Sequence, residues 1–440
     1  MAAEEAQYLE LMIRPKARKL KNGMPVILIP QKGASSMTIF VMARVGSRYE
    51  TKQINGASHF IEHLMFKGTK RRPSTEILTR TIDRFGAEYN AFTGKDLTAY
   101  YIKMDAAHTP LAIDLLHDML FNSLYDPKEI DRERGVIIEE INMYDDNPRM
   151  HLEDLLEGAL FPRSTLGWNI AGPREVIRSI TREQLITYRD SYYIPSRMTV
   201  AIAGKIVPGA MALLEKSFGR VRPRIKNADQ EFAPFCSHGV LKNNVALQNK
   251  KTEQVQLGLA FYGLDLRHEL APAANLLAAI LGGSMSSRLF IKIREKRGLC
   301  YAIGSSHDSL QDIGVFSVTA GLDKNRFNEA VKAIFHELRK IARQPVTGEE
   351  LQRAKDNIRG RTMLAFENSA VQAEWFGRQW TFLNTLKTPQ EKMKRIDAVT
   401  AAQVRETARM ILKPEHMASA VIGPFQNKTT LEKHLNAFKI

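Results

Sequence analysis

Five residues of this chain recur at a constant interval of 219 positions. The matched sets are Thr181, Gln184, Pro195, Met198 and Gly204 in the first half and Thr400, Gln403, Pro414, Met417 and Gly423 in the second. In both places a Thr-x-x-Gln capping box predicts the start of a helix, and an apolar run after the proline predicts a strand. Matches in register on one helix–proline–strand plan indicate a duplicated domain.

Each half of the chain alternates between short β-rich runs and longer helical patterns. Residues 36–45 and 198–203 read as strands, whereas 127–144 and 348–364 read as long helices. At 440 residues the chain exceeds what one core usually supports, so about two or three domains are expected. We therefore predict an α+β fold of two duplicated domains, each an antiparallel-rich sheet packed with helices.

A stretch with little periodicity separates the two copies. It carries Pro223, Pro234 and mixed charge, a composition typical of a linker. The predicted division is an N-terminal domain at residues 1–222, a linker at 223–244 and a C-terminal domain at 245–440 of the same fold.

The most specific motif in the first half is H-x-x-E-H, formed by His59, Glu62 and His63. Two histidines four apart project from one face of a helix, so both can ligate one metal ion. Glu62 lies on a neighbouring edge, where a carboxylate can take a proton from a metal-bound water. This order is the inverzincin signature. The alternative is a helix with two histidines that bind no metal.

A third ligand is expected on the helix that contains Glu133, Glu139 and Glu140. Glu133 and Glu140 are seven apart and share a face, whereas Glu139 points elsewhere and is expected to be solvated. One carboxylate on that face can bind metal while the other holds a ligand by hydrogen bonds. The alternative is a charged helix with three surface carboxylates. In the second half, residues 270–276 occupy the place of H-x-x-E-H without a metal-binding side chain.

Composition excludes several classes of protein. The hydrophobic fraction is 44% and the charged fraction 25%, as in soluble globular proteins, and no apolar run approaches the ~20 residues of a membrane span. The net charge of +15 comes from scattered basic residues without a nucleic-acid-binding motif, so no nucleic-acid partner is expected. Cys236 and Cys300 are expected to be free thiols, and the acidic N-terminus lacks a secretory signal. We therefore expect a cytoplasmic protein.

Taken together, these motifs resemble those of the pitrilysin-type inverzincins, which include the mitochondrial processing peptidase and its bacterial relatives. The resemblance covers nearly the whole chain. It rests on four stretches, which are H-F-I-E-H-L-M-F-K-G-T at 59–69, R-E-R-G-V-I-I-E-E at 132–140, S-S-R-L-F at 286–290 and R-E-K-R-G-L-C-Y at 294–301.

The resemblance assigns roles to the residues of the first half. It implies that His59, His63 and Glu140 bind one Zn²⁺ per chain and that Glu62 is the general base. Glu133 is similar to the glutamate that supports the metal ligands in this family.

Two residues of the second half, Arg294 and Tyr301, resemble the family's substrate-binding pair, supplied by the metal-free domain. An arginine and a phenol can donate hydrogen bonds to a substrate carbonyl and stabilise the oxyanion of a tetrahedral intermediate. The alternatives are a helix-end salt bridge for Arg294 and a half-buried strand aromatic for Tyr301.

The stretch Asn90, Ala91 and Phe92 resembles the family's edge strand beside the zinc. A peptide can add to such an edge as an extra strand through main-chain hydrogen bonds. The alternative is an ordinary internal strand.

The resemblance implies a zinc-dependent endopeptidase that hydrolyses short or unfolded peptides inside a dimeric chamber, with the zinc-bound water activated by Glu62. One chain carries both the metal motif and the Arg294–Tyr301 pair, which favours a homodimer over a heterodimer with a related subunit. The acidic N-terminus and net basic charge favour a bacterial-type cytoplasmic peptidase. The alternative function is a non-catalytic assembly or peptide-binding subunit of a larger complex.

Overall fold

The computed structural model describes residues 14–225, 231–236, 241, 244–435 and 437–438. The acidic N-terminus and much of the predicted linker 223–244 lie outside the described residues. The chain divides into two compact units, each made of three segments. Unit 1 comprises the residues up to Glu139, Ile170–Phe232 and Met363–Glu391, and unit 2 comprises Glu140–Asn169, Ala233–Thr362 and the residues from Lys392. The contiguous domains 1–222 and 245–440 stay a prediction about the duplicated sequence.

Each unit has one sheet, and together the sheets contain eleven strands among the described residues. The strands are β1 Lys16–Lys19, β2 Pro25–Pro30, β3 Ser36–Ala43, β4 Glu88–Thr93, β5 Thr98–Asp105, β6 Met198–Gly204, β7 Asn244–Asn249, β8 Gln254–Gly263, β9 Cys300–Ser309, β10 Gly314–Asp323 and β11 Met417–Gly423. In unit 1 the order is β1-β2-β6-β3-β5-β4, and in unit 2 it is β7-β11-β8-β10-β9. All neighbours are antiparallel except β2 with β6 and β7 with β11.

Helices cover the sheets. They are α1 Ala57–Leu64, α2 Thr75–Asp83, α3 Thr109–Asn122, α4 Pro127–Asp146, α5 Pro148–Leu160, α6 Arg174–Ser179, α7 Arg182–Tyr192, α8 Ala210–Lys216, α9 Ala271–Gly282, α10 Phe327–Arg343, α11 Gly348–Ala365, α12 Ser369–Leu383, α13 Pro389–Asp397, α14 Ala401–Ile411 and α15 Lys428–Leu435. The predicted class, α+β with two duplicated antiparallel-rich sheets, is confirmed. None of the helices in the described part of the chain is both long and apolar enough to cross a membrane.

The repeated residues of the two halves have the same structural roles. Thr181 and Thr400 each cap a helix, and in both boxes the glutamine side-chain oxygen accepts a hydrogen bond from the backbone N–H of the capping threonine. Strands β6 and β11 follow and are buried at every residue. Each pairs with a parallel neighbour on one side and an antiparallel one on the other. The duplication predicted from the sequence is therefore present in the sheet topology.

Each unit also includes a helix from the opposite half of the sequence. Helix α12, which the sequence patterns did not indicate, packs on β3 and β6 of unit 1, where Thr38 and Ser369 hydroxyls lie 2.8 Å apart. Gly377 allows the close approach, because a Cβ there would meet the Met42 side chain at 2.7 Å. In unit 2, α5 packs on β8 and β11, and Gly258 makes room for the Leu156 side chain.

Candidate metal centre

Helix α1 presents the H-x-x-E-H residues at its half-buried face. Its other face packs into the core, where Phe60, Ile61 and Leu64 are at most 1% exposed. This burial fixes the rotation of the helix and leaves His59, Glu62 and His63 partly accessible. The helix begins after Gly56, at a positive φ of 99°, and has no side-chain cap from its N-cap residue.

Helix α4 brings the two glutamates of its shared face to the histidines. One ligand atom from each of His59, His63 and Glu140 lies within 4.8 Å of the others, and all three side chains are half-buried. Two imidazoles and a carboxylate are a donor set of catalytic zinc sites, which keep a further position for water or substrate. The residues present therefore fit a zinc ion. Glu139 is exposed, as expected from its position on another face.

Glu133 contacts a metal-ligand candidate instead of joining the cluster. Its side chain is 1% exposed, and its two oxygens lie 3.1 Å from His63 Nδ1 and 2.7 Å from Lys67 Nζ. Burial alone would raise the pKa of this carboxyl, but the hydrogen bonds from His63 and Lys67 outweigh burial and lower it. An ionised Glu133 can accept the Nδ1 proton of His63, and Nε2 would then be the nitrogen that binds a metal.

Glu62 is held by the edge strand of the sheet. The hydroxyl of Thr93, at the end of β4, donates to Glu62 Oε2 over 2.5 Å. Behind this contact, the hydroxyls of Tyr100 and Tyr193 lie 2.9 Å apart and are fully buried. Burial raises the pKa of both phenols, and the nearby charge of Glu62 raises them further. These tyrosines therefore stay protonated near the carboxylate at neutral pH.

The structure places Asn90, Ala91 and Phe92 on β4, which ends the strand order of unit 1. Ala91 is opposite Tyr100 and Phe92 is opposite Ala99 in the pairing with β5. No strand among the described residues pairs with the other edge of β4. Whether a peptide binds there stays a prediction.

Arg294 and Tyr301 form a pair within unit 2. Arg294 lies in a π-helical turn at Phe290–Glu295, and its guanidinium carbon is 4.8 Å from the Phe290 ring centroid and 5.3 Å from that of Tyr301. Tyr301 is 72% exposed, so it is not a half-buried strand aromatic. The ion pair of Arg294 with Glu295 is long, at 3.8 Å. The pair is thus accessible, and its role towards substrate stays a prediction.

Sequence reasoning missed the contacts of two residues that support the cluster, Lys67 and Thr93. Lys67 lies beyond the end of α1 at Leu64, and Thr93 lies on β4. Helical spacing therefore indicated neither the contact of Lys67 with Glu133 nor that of Thr93 with Glu62. The two cysteines are not joined, with Cys236 exposed and Cys300 half-buried.

Two related α+β units, together with a His-His-Glu cluster beside a glutamate, define a class of metallopeptidase-like proteins. Family models agree with this class. Residues 26–174 match "Insulinase (Peptidase family M16)" and residues 179–358 match "Peptidase M16 inactive domain".

Relatives of known sequence cover nearly the whole chain. A Bacillus subtilis protein named "Uncharacterized zinc protease YmxG" is 35% identical over 92% of this chain and 98% of its own length. A Streptomyces coelicolor protein named "Uncharacterized zinc protease SCO5738" is 34% identical over 94% of this chain and 91% of its own. The chain belongs to peptidase family M16.

The fold is also similar to solved structures. A protease from Helicobacter pylori superposes with a TM-score of 0.85 and covers 94% of this chain and all of its own, at 23% identity. A Pseudomonas fluorescens structure described as a peptidase M16 inactive domain also gives 0.85, with 94% and 99% coverage at 18% identity. At these identities the similarity establishes the fold alone.

Proposed function

We propose that this protein is a zinc-dependent endopeptidase that hydrolyses short or unfolded peptides. The observation that carries the proposal is the convergence of His59, His63 and Glu140, within 4.8 Å, with Glu62 on the same helix as the histidines. The names of the relatives, which call them zinc proteases, support the choice of metal and reaction. If the two histidines bound no metal, nothing would require the Glu140 carboxylate of α4 to lie beside them.

His59, His63 and Glu140 would hold the ion. A bound zinc supplies Lewis-acid polarisation of a substrate carbonyl and makes water more acidic. Glu133 and Lys67 keep His63 in the tautomer that coordinates through Nε2.

Glu62 acts as the general base in this proposal. It takes a proton from the attacking water and then passes it to the leaving amine. Thr93 donates to one oxygen of Glu62 and so orients the other oxygen for proton transfer.

Substrate binding in this proposal uses main-chain and side-chain groups. An extended peptide adds to the edge of β4 at Asn90–Phe92, which gives affinity that tolerates many sequences. Arg294 and Tyr301 donate to the carbonyl oxygen on which negative charge develops. We further propose that two chains form a homodimer around an enclosed chamber, because one chain carries both sets of groups.

The test combines zinc content with cleavage of a quenched peptide library, using wild type, Glu62→Gln and the matched control Glu139→Gln. We expect about one zinc per chain in all three proteins. Loss of the general base should lower kcat by roughly 10²–10⁴-fold, while Glu139→Gln, on the exposed face of α4, should cleave like wild type. Full activity in Glu62→Gln would contradict the mechanism. Wild type without zinc or activity would instead favour an assembly or peptide-binding subunit.

A further inference from the structure

A buried glutamate lies at the N-terminus of the helix that carries the metal motif. Glu50 follows the 3₁₀ turn Ser47–Tyr49 and is 4% exposed. Its Oε2 accepts hydrogen bonds from the backbone N–H of Gly56 at 2.7 Å and from the Asn55 side-chain amide at 2.9 Å. Its Oε1 accepts from the backbone N–H of Ser58 at 2.7 Å. One carboxylate thus satisfies three donors at the start of α1.

Helices normally obtain this acceptor from the capping residue itself. The backbone N–H groups of a first turn lack partners inside the helix, and an Asp, Asn, Ser or Thr at the N-cap usually accepts from them. At α1 the N-cap is Gly56, which has no side chain, and a Cβ there would meet the Ala171 carbonyl oxygen at 2.6 Å. Glu50, which lies outside the helix and six residues before Gly56, performs the capping function instead. In its ionised form Glu50 also matches the positive end of the helix dipole.

Further hydrogen bonds hold the groups around Glu50. The hydroxyl of Ser58 lies 2.9 Å from that of Tyr188, and Tyr188 donates to the Gly46 carbonyl at 3.2 Å. Burial raises the pKa of the Glu50 carboxyl to about 7, and the hydrogen bonds from Asn55, Ser58 and Gly56 act in the opposite direction. A buried carboxylate of this kind is unfavourable for stability by itself.

We propose that Glu50 is a positioning residue for the metal centre: by holding Gly56 and Ser58 it fixes the direction in which α1 presents His59 and Glu62. Ser58 directly precedes His59, so a shift of the first turn moves the imidazole with it. Glu62 lies one turn further along the same eight-residue helix. The part of this inference that concerns catalysis rests on the proposed peptidase function.

The test compares Glu50→Gln with Asp118→Asn. The glutamine keeps the shape but turns an amide towards backbone donors, whereas Asp118 is an equally buried carboxylate of the same unit that accepts from Thr69 and Arg72. Three quantities are measured: amide hydrogen exchange of residues 56–64, zinc affinity by competition with a chromophoric chelator, and kcat and KM separately.

In Glu50→Gln we expect exchange at residues 56–64 to rise by at least about tenfold, because an NH₂ group replaces one of the two oxygens that accept from the first turn. Zinc affinity should fall roughly 10- to 100-fold, as for other residues that orient metal ligands. We expect kcat to fall while KM changes by less than about twofold, since the peptide contacts on β4 are untouched. Asn55→Ala removes one donor of the three and should change the same quantities less; it replaces Glu50→Gln if that variant does not fold.

The inference is overturned if Glu50→Gln loses only as much global stability as Asp118→Asn, with exchange at 56–64 and zinc affinity as in wild type. A wild-type chain that bound no zinc and cut no peptide would refute the proposed function instead. In that case unchanged exchange at 56–64 would still overturn the role of Glu50, and locally raised exchange would support it.

Discussion

The two units share a five-stranded arrangement, to which unit 1 adds β1, but the helices beside the strands differ. In unit 1 the short helix α1 carries three chemically active side chains, His59, Glu62 and His63, on a partly accessible face. In unit 2, α9 lies after β8, the strand that matches β3; its residues are almost all apolar, and seven of the twelve are buried. The duplicated scaffold therefore does not itself make a metal site. A few substitutions on one helix decide which copy has the chemistry.

Histidine has contrasting roles in the two units. His307 of β9 is half-buried and links its strand to neighbouring elements, with Nε2 accepting from the Leu264 backbone N–H at 3.0 Å. Its Nδ1 lies 3.2 Å from the side-chain oxygen of Asn275 on α9. A neutral ring satisfies both contacts, so this histidine holds the fold together. The histidines of unit 1 lie instead in a cluster that fits a metal ion.

The largest effect is expected from removing a metal ligand in unit 1. His59→Ala leaves two ligands of three, so zinc affinity should fall by at least about a thousandfold. His336→Ala, at an exposed histidine of unit 2, is the matched control and should leave zinc content unchanged. The measurement is zinc per chain after dialysis against a weak chelator. Equal zinc in both variants would place the metal elsewhere and remove the contrast between the units.

The second prediction concerns pH and the histidine of unit 2. Burial lowers the pKa of His307 from 6.5 to about 4. Between those values the unfolded chain binds a proton that the folded chain does not, so stability is highest above about pH 6.5 and falls as the pH drops towards about 4. The loss is at most about 3 kcal/mol. In His307→Gln this part of the pH dependence should disappear, as followed by urea unfolding at several pH values. An unchanged pH profile would show that His307 is not the titrating group.

The next largest effect is expected from Glu133, the carboxylate that contacts His63. Glu133→Gln removes the charge that accepts the His63 Nδ1 proton and pairs with Lys67, so zinc affinity should fall roughly 10- to 100-fold. Glu129→Gln, earlier on α4 and paired with Arg132, is a suitable control. The two variants are compared by chelator competition. If both bind zinc like wild type, the contact between Glu133 and His63 has no influence on the metal.

The smallest expected effects are losses of stability from removing the helix caps, and these losses should be equal in the two units. Thr181→Ala and Thr400→Ala each remove one half of a capping box, and each should destabilise its unit by about 1 kcal/mol. Both boxes have similar geometry, with the Gln184 and Gln403 side chains accepting at 2.7 Å and 2.9 Å. Thermal unfolding of the two variants checks this. A clearly larger loss for one of them would show that the copies no longer depend equally on these caps.

Much of the fold was predictable because its signals are local. The capping boxes, the apolar strands after Pro195 and Pro414, and the spacing of His59 and His63 all depend on residues within a few positions of each other. Helix α12 escaped prediction because its role becomes visible only in contact with distant strands. Its Ser369 bonds to Thr38, 331 positions away.

The candidate site was only partly predictable, because several of its contacts join residues that are distant in the sequence. Spacing on α4 left open whether Glu133 or Glu140 would bind metal, and the family resemblance assigned Glu140. The structure places Glu140 with the two histidines and Glu133 against His63 Nδ1. The contacts of Glu50 with the first turn of α1 and of Thr93 with Glu62 were not predicted.

The sequence by itself determined the duplicated α+β plan and the pair of histidines on one helix, since periodicity and capping act over a few residues. The tertiary structure alone decided which groups surround that helix. Thr93 reaches Glu62 across 31 positions, and Glu133 reaches His63 across 70. Such contacts depend on how strands and helices pack, and packing brings together residues whose separation along the chain carries no signal.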